Sequence, residues 1–242
     1  MKNEIFTINN IFSKNNVKII AQYISENGIT DNEPYSNSPS RGSVSLDDIL
    51  RVDETFHNRI QTIIKKQLDG EFYVASITCH FKHKWLGAQE HWHQDYIYNK
   101  LIYDGKPSDF YRLFIAIDDH TKRNGCLLTI NNSSKQLQHD EILNSNLQQK
   151  YRIKPFELDN LYSKHGIQYN EIKAGQGLLF SSLIPHASCS NQTQLPRKAI
   201  TVQLVRKDTK KYTEDQRSKI MKDRRLFEIE ELMTALRKKN EK

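Results

Sequence analysis

No stretch of the chain stays apolar over the length a membrane-spanning helix needs. The opening residues, Met1-Lys2-Asn3-Glu4-Ile5-Phe6, lack the apolar run of a secretory signal. Cysteine is scarce and odd in number. Cys79, Cys126 and Cys189 have neither the spacing of a disulfide framework nor a histidine in a recognisable nucleophile setting. A stapled secreted scaffold and thiol catalysis therefore find no support, and the expected compartment is the reducing cytoplasm. Glycine-rich phosphate loops and internal repeats are missing as well. What is present is a 242-residue chain, 37% apolar and 10% aromatic, long enough for one sizeable core and an appendage.

The formal charge of +7 raises the question of nucleic acid, and its location answers it. From Arg206 to Lys242 there are 13 Lys or Arg and 8 Asp or Glu, a net of +5 in the tail alone. A mixed-sign helical tail of this kind reads as a solvated face, so nucleic acid is an unlikely partner.

Patterning divides the chain into three parts: helices over 1–71, a strand-rich core over 72–206, and a basic helix over 207–242. Ser13 caps a helix to about Glu26, with Val17, Ile20 and Ile24 as its stripe and Gly28 at its end. Residues 29–44 read as loop. Ser45 and Asp48 suit a capping box opening one helix to Leu68, carrying Ile49, Val52, Phe56, Ile60, Ile63 and Ile64 and stopped by Gly70. Strands are expected over Phe72–Phe81, Tyr111–Ile117, Cys126–Ile130, Glu171–Ala174 and Leu178–Phe180. Asn124-Gly125 reads as the tight turn of a hairpin. Residues 131–170 are polar, without clear periodicity, and read as a lid or binding excursion.

The last strand, Arg197–Arg206, splits by parity: Ile200, Val202 and Leu204 on one face, Arg197, Thr201 and Gln203 on the other. Such a strand suits a barrel with a polar cavity and a helix-covered exterior. Helices, then many strands, then a helix favour a mainly β fold with flanking α, a jelly-roll or cupin-like core. Thr213 and Gln216 can begin the last helix, whose stripe (Leu226, Ile229, Leu232, Met233, Leu236) would dock on the domain or on a second subunit as a homodimer.

Chemistry concentrates in His91-Trp92-His93-Gln94-Asp95. His93 and Asp95, two apart, share a face of an extended segment and can grip a divalent metal from one side. The third ligand expected is His186, in Ile184-Pro185-His186-Ala187-Ser188. Two histidines and a carboxylate on one face suit non-haem Fe(II) with sites left for co-substrate and oxygen. Arg197 offers a planar fork for a carboxylate. His91 is a rival ligand on the same face, and a zinc set of His91, His93 and His186 would leave Asp95 and Arg197 without roles. His80 and His83 can line a cavity, although His80 equally suits a satisfied core position. His57, His120, His139 and His165 fall on helix or loop and default to the surface.

Three stretches together resemble the phytanoyl-CoA dioxygenase family of Fe(II)/2-oxoglutarate oxygenases: Trp92-His93-Gln94-Asp95, Asp118–Leu128, and Lys173–Phe180 running through Pro185-His186-Ala187-Ser188 to Arg197. The resemblance covers roughly residues 72–206 and implies a double-stranded β-helix. It implies iron on His93, Asp95 and His186, and 2-oxoglutarate on Arg197 with help from Ser188, Phe114 and Thr201. It implies a dioxygenase that uses O2 to hydroxylate a C–H bond of a small molecule, releasing succinate and CO2. Tyr96, Tyr98, Lys84, His83 and His91 are the expected substrate contacts. Two departures stand out. Asn132-Ser133-Ser134-Lys135 replaces a Gly-Ser-His triplet, and Phe114 stands where the family often has tryptophan. Related halogenases replace the metal carboxylate by a small residue, and here Asp95 is present. Two rival readings are a cupin-type metal enzyme that does not use 2-oxoglutarate, and a non-enzymatic binding module with a basic tail.

Overall fold

A computed structural model gives the fold and describes residues 5–27, 40–43, 46–85, 89–131, 135–142 and 149–223. In chain order the elements begin with β1 (Ile5–Ile8), α1 (Lys14–Asn27), β2 (Ser40–Ser43), α2 (Leu46–Val52) and α3 (Phe56–Gln67). The core follows with β3 (Phe72–Lys82), β4 (Glu90–His93), the single turn α4 (Tyr96–Asn99), β5 (Tyr103–Asp104), β6 (Phe110–Ala116) and β7 (Leu127–Thr129). Then come β8 (His139–Glu141), β9 (Tyr151–Ile153), α5 (Pro155–His165), β10 (Gln168–Asn170), β11 (Gly177–Ser181), β12 (His186–Ser188), β13 (Arg197–Arg206) and β14 (Lys210–Lys211). Residues 214–223 form a final helix.

Two antiparallel sheets make a jelly-roll core. One runs β1-β11-β6-β13-β3-β2 and the other β10-β7-β12-β4. The larger sheet turns one face to the helices. Ile77, Cys79 and Phe81 of β3, Leu113 and Ile115 of β6, and Ile200, Val202 and Leu204 of β13 share a buried cluster with Val17, Ile20 and Ile24 of α1 and Phe56, Ile60 and Ile64 of α3. Phe72 joins the same cluster although it is out of phase with Ile77. A bulge opposite Gln203 and Leu204 supplies the extra residue that resets the pleat. Residues of opposite parity (Thr78, His80, Arg112, Phe114, Thr201) face inward and line a cavity.

Several expectations hold. Ser13 Oγ accepts from Asn16 N at 3.1 Å and caps α1. The last long strand spans Arg197–Arg206 as its parity required. Thr213 and Gln216 form a reciprocal capping box, Thr213 N donating to Gln216 Oε1 (2.9 Å) and Gln216 N to Thr213 Oγ1 (3.3 Å). Gly28, Ser45, Asn132-Ser133-Ser134 and the stripe from Leu226 to Leu236 lie outside the described residues. Among the described residues no helix is long and apolar enough to cross a membrane.

Other expectations are corrected. The single helix to Leu68 is two, broken at Asp53. That buried carboxylate accepts from Thr55 N (3.2 Å), Thr55 Oγ1 (2.8 Å), Asn16 Nδ2 (2.6 Å) and Arg59, a local turn that outcompetes the helical period. Part of the expected loop is a strand, since residues 40–43 find the open edge of β3. Gly125 does turn the chain, at φ +79°, yet β6 and β7 are not a hairpin: they belong to different sheets. The polar stretch 131–170 carries the β8–β9 hairpin, α5 and β10, and β10 pairs with β7 inside the core. Of the strand expected over 171–174 only the His120–Ile172 bridge remains.

Candidate metal centre

Backbone pairing brings the ligand candidates together. His93, the last residue of β4, is the cross-strand partner of His186, the first of β12. Their rings lie 4.2 Å apart. The chain then leaves the strand: Asp95 has φ −61° and ψ −24° and opens α4, so the two ligands do not share one extended segment as expected. A helical residue two places after a strand end still returns its side chain to the same side. His186 Nε2 is 3.8 Å from Asp95 Oδ2, and one ligand atom from each of His93, Asp95 and His186 lies within 4.8 Å of the others. All three residues are buried.

Protonation is set by the surroundings. His93 Nδ1 lies 2.9 Å from His91 O, and His186 Nδ1 lies 2.9 Å from Ile184 O. A carbonyl only accepts, so each Nδ1 carries a proton and each Nε2 is the ring nitrogen left to face a metal. Burial and the neighbouring His186 push the His93 pKa down to about 3, which keeps the imidazole neutral. Burial alone would raise Asp95. Arg112 foremost, then His186 and His93, outweigh it and hold the carboxyl at about 2. Two imidazole nitrogens and one carboxylate form a donor set that suits a divalent transition metal.

Three residues to which sequence reasoning gave no role in the site support it. Arg112 Nε donates to Asp95 Oδ2 at 3.0 Å, and its NH1 is 3.4 Å from Gln203 Oε1. Its signal was present: in Tyr111–Ile117 its parity matches Phe114, which places a cation inside. Gln94, fully buried between the ligands, accepts from Leu137 N (2.8 Å) and donates to Leu183 O (2.6 Å) and Lys135 O (3.0 Å). It ties the ligand segment to two other loops. His120, expected at the surface, is buried. Its Nε2 donates to Lys198 O (3.1 Å), so Nδ1 accepts from Arg197 NH1 at 3.5 Å. Burial and the Arg197 charge press its pKa well below the usual range.

If Arg112 holds the metal carboxylate in its rotamer, Arg112→Ala should weaken Mn(II) affinity by roughly 10- to 100-fold, as loss of such supporting partners does. Isothermal titration reads this directly, and an affinity unchanged within about twofold would remove Arg112 from that role.

The remaining candidates are distributed as follows. Arg197 is 2% exposed and stacks 5.9 Å from the Phe114 ring centre; burial lowers its pKa to about 10, and its Nε has no hydrogen-bond partner. Phe114 and Thr201 line the cavity of about 140 Å³ with His80, Glu90 and Tyr98. Ser188 is buried and its Oγ lies 3.4 Å from Glu90 Oε2. Tyr98 meets the His93 ring edge-on at 6.1 Å, and its hydroxyl accepts from Lys150 N and Tyr151 N, both at 3.3 Å. Tyr96 turns away: its hydroxyl donates to Gly105 O (3.0 Å) and its ring packs on Phe110. His83 is buried against Phe81, Lys84 is exposed, and neither lines the cavity. His91 contributes its backbone, bracketed by Gln149, and is outside the ligand cluster. His139, expected at the surface, is half-buried and accepts from Gln94 N at 3.2 Å.

Comparison with known proteins gives this arrangement a context. An ectoine dioxygenase from Sphingopyxis alaskensis is 26% identical over 148 residues, covering 57% of this chain and 48% of that protein. The chain thus spans about half the length of that relative. Among solved structures, EctD from S. alaskensis with 2-oxoglutarate and 5-hydroxyectoine has a TM-score of 0.63 at 17% identity, over 85% of this chain and 73% of that one. EvdO2 from Micromonospora carbonacea var. aurantiaca complexed with 2-oxoglutarate has a TM-score of 0.68 at 16% identity, over 88% and 89%. Those two structures share the fold. Residues 19–199 match the family model described as phytanoyl-CoA dioxygenase (PhyH), and on that match the chain belongs to the phytanoyl-CoA dioxygenase family.

Proposed function

We propose that the protein is an Fe(II)- and 2-oxoglutarate-dependent dioxygenase that hydroxylates a C–H bond of a small-molecule metabolite. The observation that carries this reading is the convergence of His93, Asp95 and His186 with each histidine Nδ1 taken by a backbone carbonyl and the carboxylate ionised. The donor set passes the test for iron: two imidazoles and one carboxylate leave the opposite side for exchangeable ligands. Arg197 passes the test for the keto acid. Its buried Nε lacks an acceptor, and a guanidinium fork is shaped to pair with a carboxylate.

When bound, iron and 2-oxoglutarate supply the oxidising chemistry: O2 and the keto acid are consumed, one oxygen atom enters the substrate C–H bond, and succinate and CO2 leave. The chain's own residues position and exclude. His93 and His186 would hold the metal through Nε2, and Arg112 would keep Asp95 facing it. His120 and Phe114 would orient Arg197 toward the far carboxylate of the keto acid. Phe180, Leu127 and Phe114 give the cavity apolar walls that keep bulk water away.

The test is succinate formation by the purified chain with Fe(II), ascorbate and 2-oxoglutarate, alone and with fractionated metabolite extracts. At least one fraction should raise succinate above the uncoupled level. Absence of 2-oxoglutarate consumption in every fraction, from a chain that binds Mn(II), would favour a metal enzyme that does not use the keto acid.

A further inference from the structure

The cavity at the metal centre, about 140 Å³, falls well below the roughly 300–1,000 Å³ of most ligand sites. It suits a compact keto acid and the reacting end of a second molecule at most. A second cavity of about 790 Å³ adjoins, and Tyr98 lines both. Leu101, Ile102 and Tyr151 give it an apolar side, and the helix at 214–223 lines the other with Arg217, Met221 and Lys222 while leaving the mouth open to solvent.

That helix is held in place. β14 pairs with β5, Tyr212 N donates to Ile102 O at 2.9 Å, and the Thr213–Gln216 box caps the first turn. The first part of the basic tail, residues 207–223, which neither the metal nor the keto acid uses, thereby acquires a location. Lys150, Arg217 and Lys222 surround the cavity against one carboxylate, Glu214, and among the described residues none of the three cations forms an ion pair. Unpaired surface cations are ordinary on a solvated helix. Three of them around an apolar recess are a complement to a specific shape of ligand.

We propose that this second cavity is the substrate site of the dioxygenase proposed above, and that it takes a small amphipathic anion. The apolar body lies against Leu101, Ile102 and Tyr151, and its carboxylate or phosphate lies among Lys150, Arg217 and Lys222. The proposal rests on the dioxygenase reading for the word substrate, and on the cavity alone for the ligand chemistry.

Decanoate and decylammonium are suitable probes, titrated calorimetrically into the intact chain loaded with Mn(II). Decanoate should bind at least about tenfold more tightly than decylammonium, and the R217E/K222E variant should lose about tenfold or more of the decanoate affinity. The K18E/K65E variant, with the same change in net charge on exposed positions of α1 and α3, should stay within about twofold. Bound Mn(II) should broaden the decanoate proton signals, because the two cavities share Tyr98. Equal affinity for the two probes, or equal losses in the two variants, overturns the ligand class. Decanoate that binds without broadening in a Mn(II)-loaded chain overturns the link to the metal centre. A chain that takes up no Mn(II) overturns the dioxygenase reading and the word substrate with it, while the titrations still judge the anion site.

Discussion

Replacing His186 by alanine is expected to abolish succinate formation and to cut Mn(II) affinity by on the order of 10³-fold, beyond the 10- to 100-fold typical of a supporting residue. The reasoning is geometric. His93 and His186 are cross-strand partners with ring centres 4.2 Å apart, so the two strands of one sheet fix the spacing of two ligands. Removing one leaves His93 and Asp95, which hold a metal from a single side. His186 also fills space against Phe180, at 5.2 Å between ring centres, so an alanine would open a void. His186→Gln preserves most of that volume and separates the two effects. It should keep the melting temperature near that of the parent while still failing to bind metal tightly. Full turnover in either variant would take His186 out of the metal shell.

The candidate ligands stood out in sequence because their chemistry is unusual for their position, and the structure brings them together. A His-x-Asp pair after a strand, a distant histidine at a strand start and an arginine opening the next strand have little else to do together. The exterior of the barrel was legible for a different reason. Ile200, Val202 and Leu204 alternate with Arg197, Thr201 and Gln203 on a period of two, and burial on one face enforces that register.

What escaped was whatever depends on which segments meet. The Asn124-Gly125 turn chemistry announces a reversal but not the sheet that receives the chain. Asp53 and Thr55 break a helix whose apolar period continues across them, because the hydrogen bond from Asn16 to Asp53 comes from elsewhere in the fold. His120 sits in a loop and looks solvated until the two sheets close over it beside Arg197. Tyr96 and Tyr98 are indistinguishable by composition. Once α4 forms, two residues of helical rotation send one ring to Phe110 and the other to His93.

Arg197→Met is expected to weaken 2-oxoglutarate binding by roughly 100-fold, about 2.8 kcal/mol at 25 °C, with Mn(II) affinity changed by no more than about threefold. The stability of the empty protein should not fall. In that state the guanidinium is buried, its pKa is depressed to about 10, and Nε has no partner, so the fold carries a desolvation cost that a carboxylate ligand would offset. Methionine keeps an apolar stem against Phe114 and removes the unpaired donor. The parent and the variant should therefore melt alike without ligand and separate when Mn(II) and 2-oxoglutarate are added, since only the parent gains the binding free energy. A variant whose melting temperature rises with the keto acid as much as the parent's would show that the carboxylate binds elsewhere. A variant that is much less stable when empty would show that Arg197 holds the two sheets together through His120, and that its charge serves the fold before it serves a ligand.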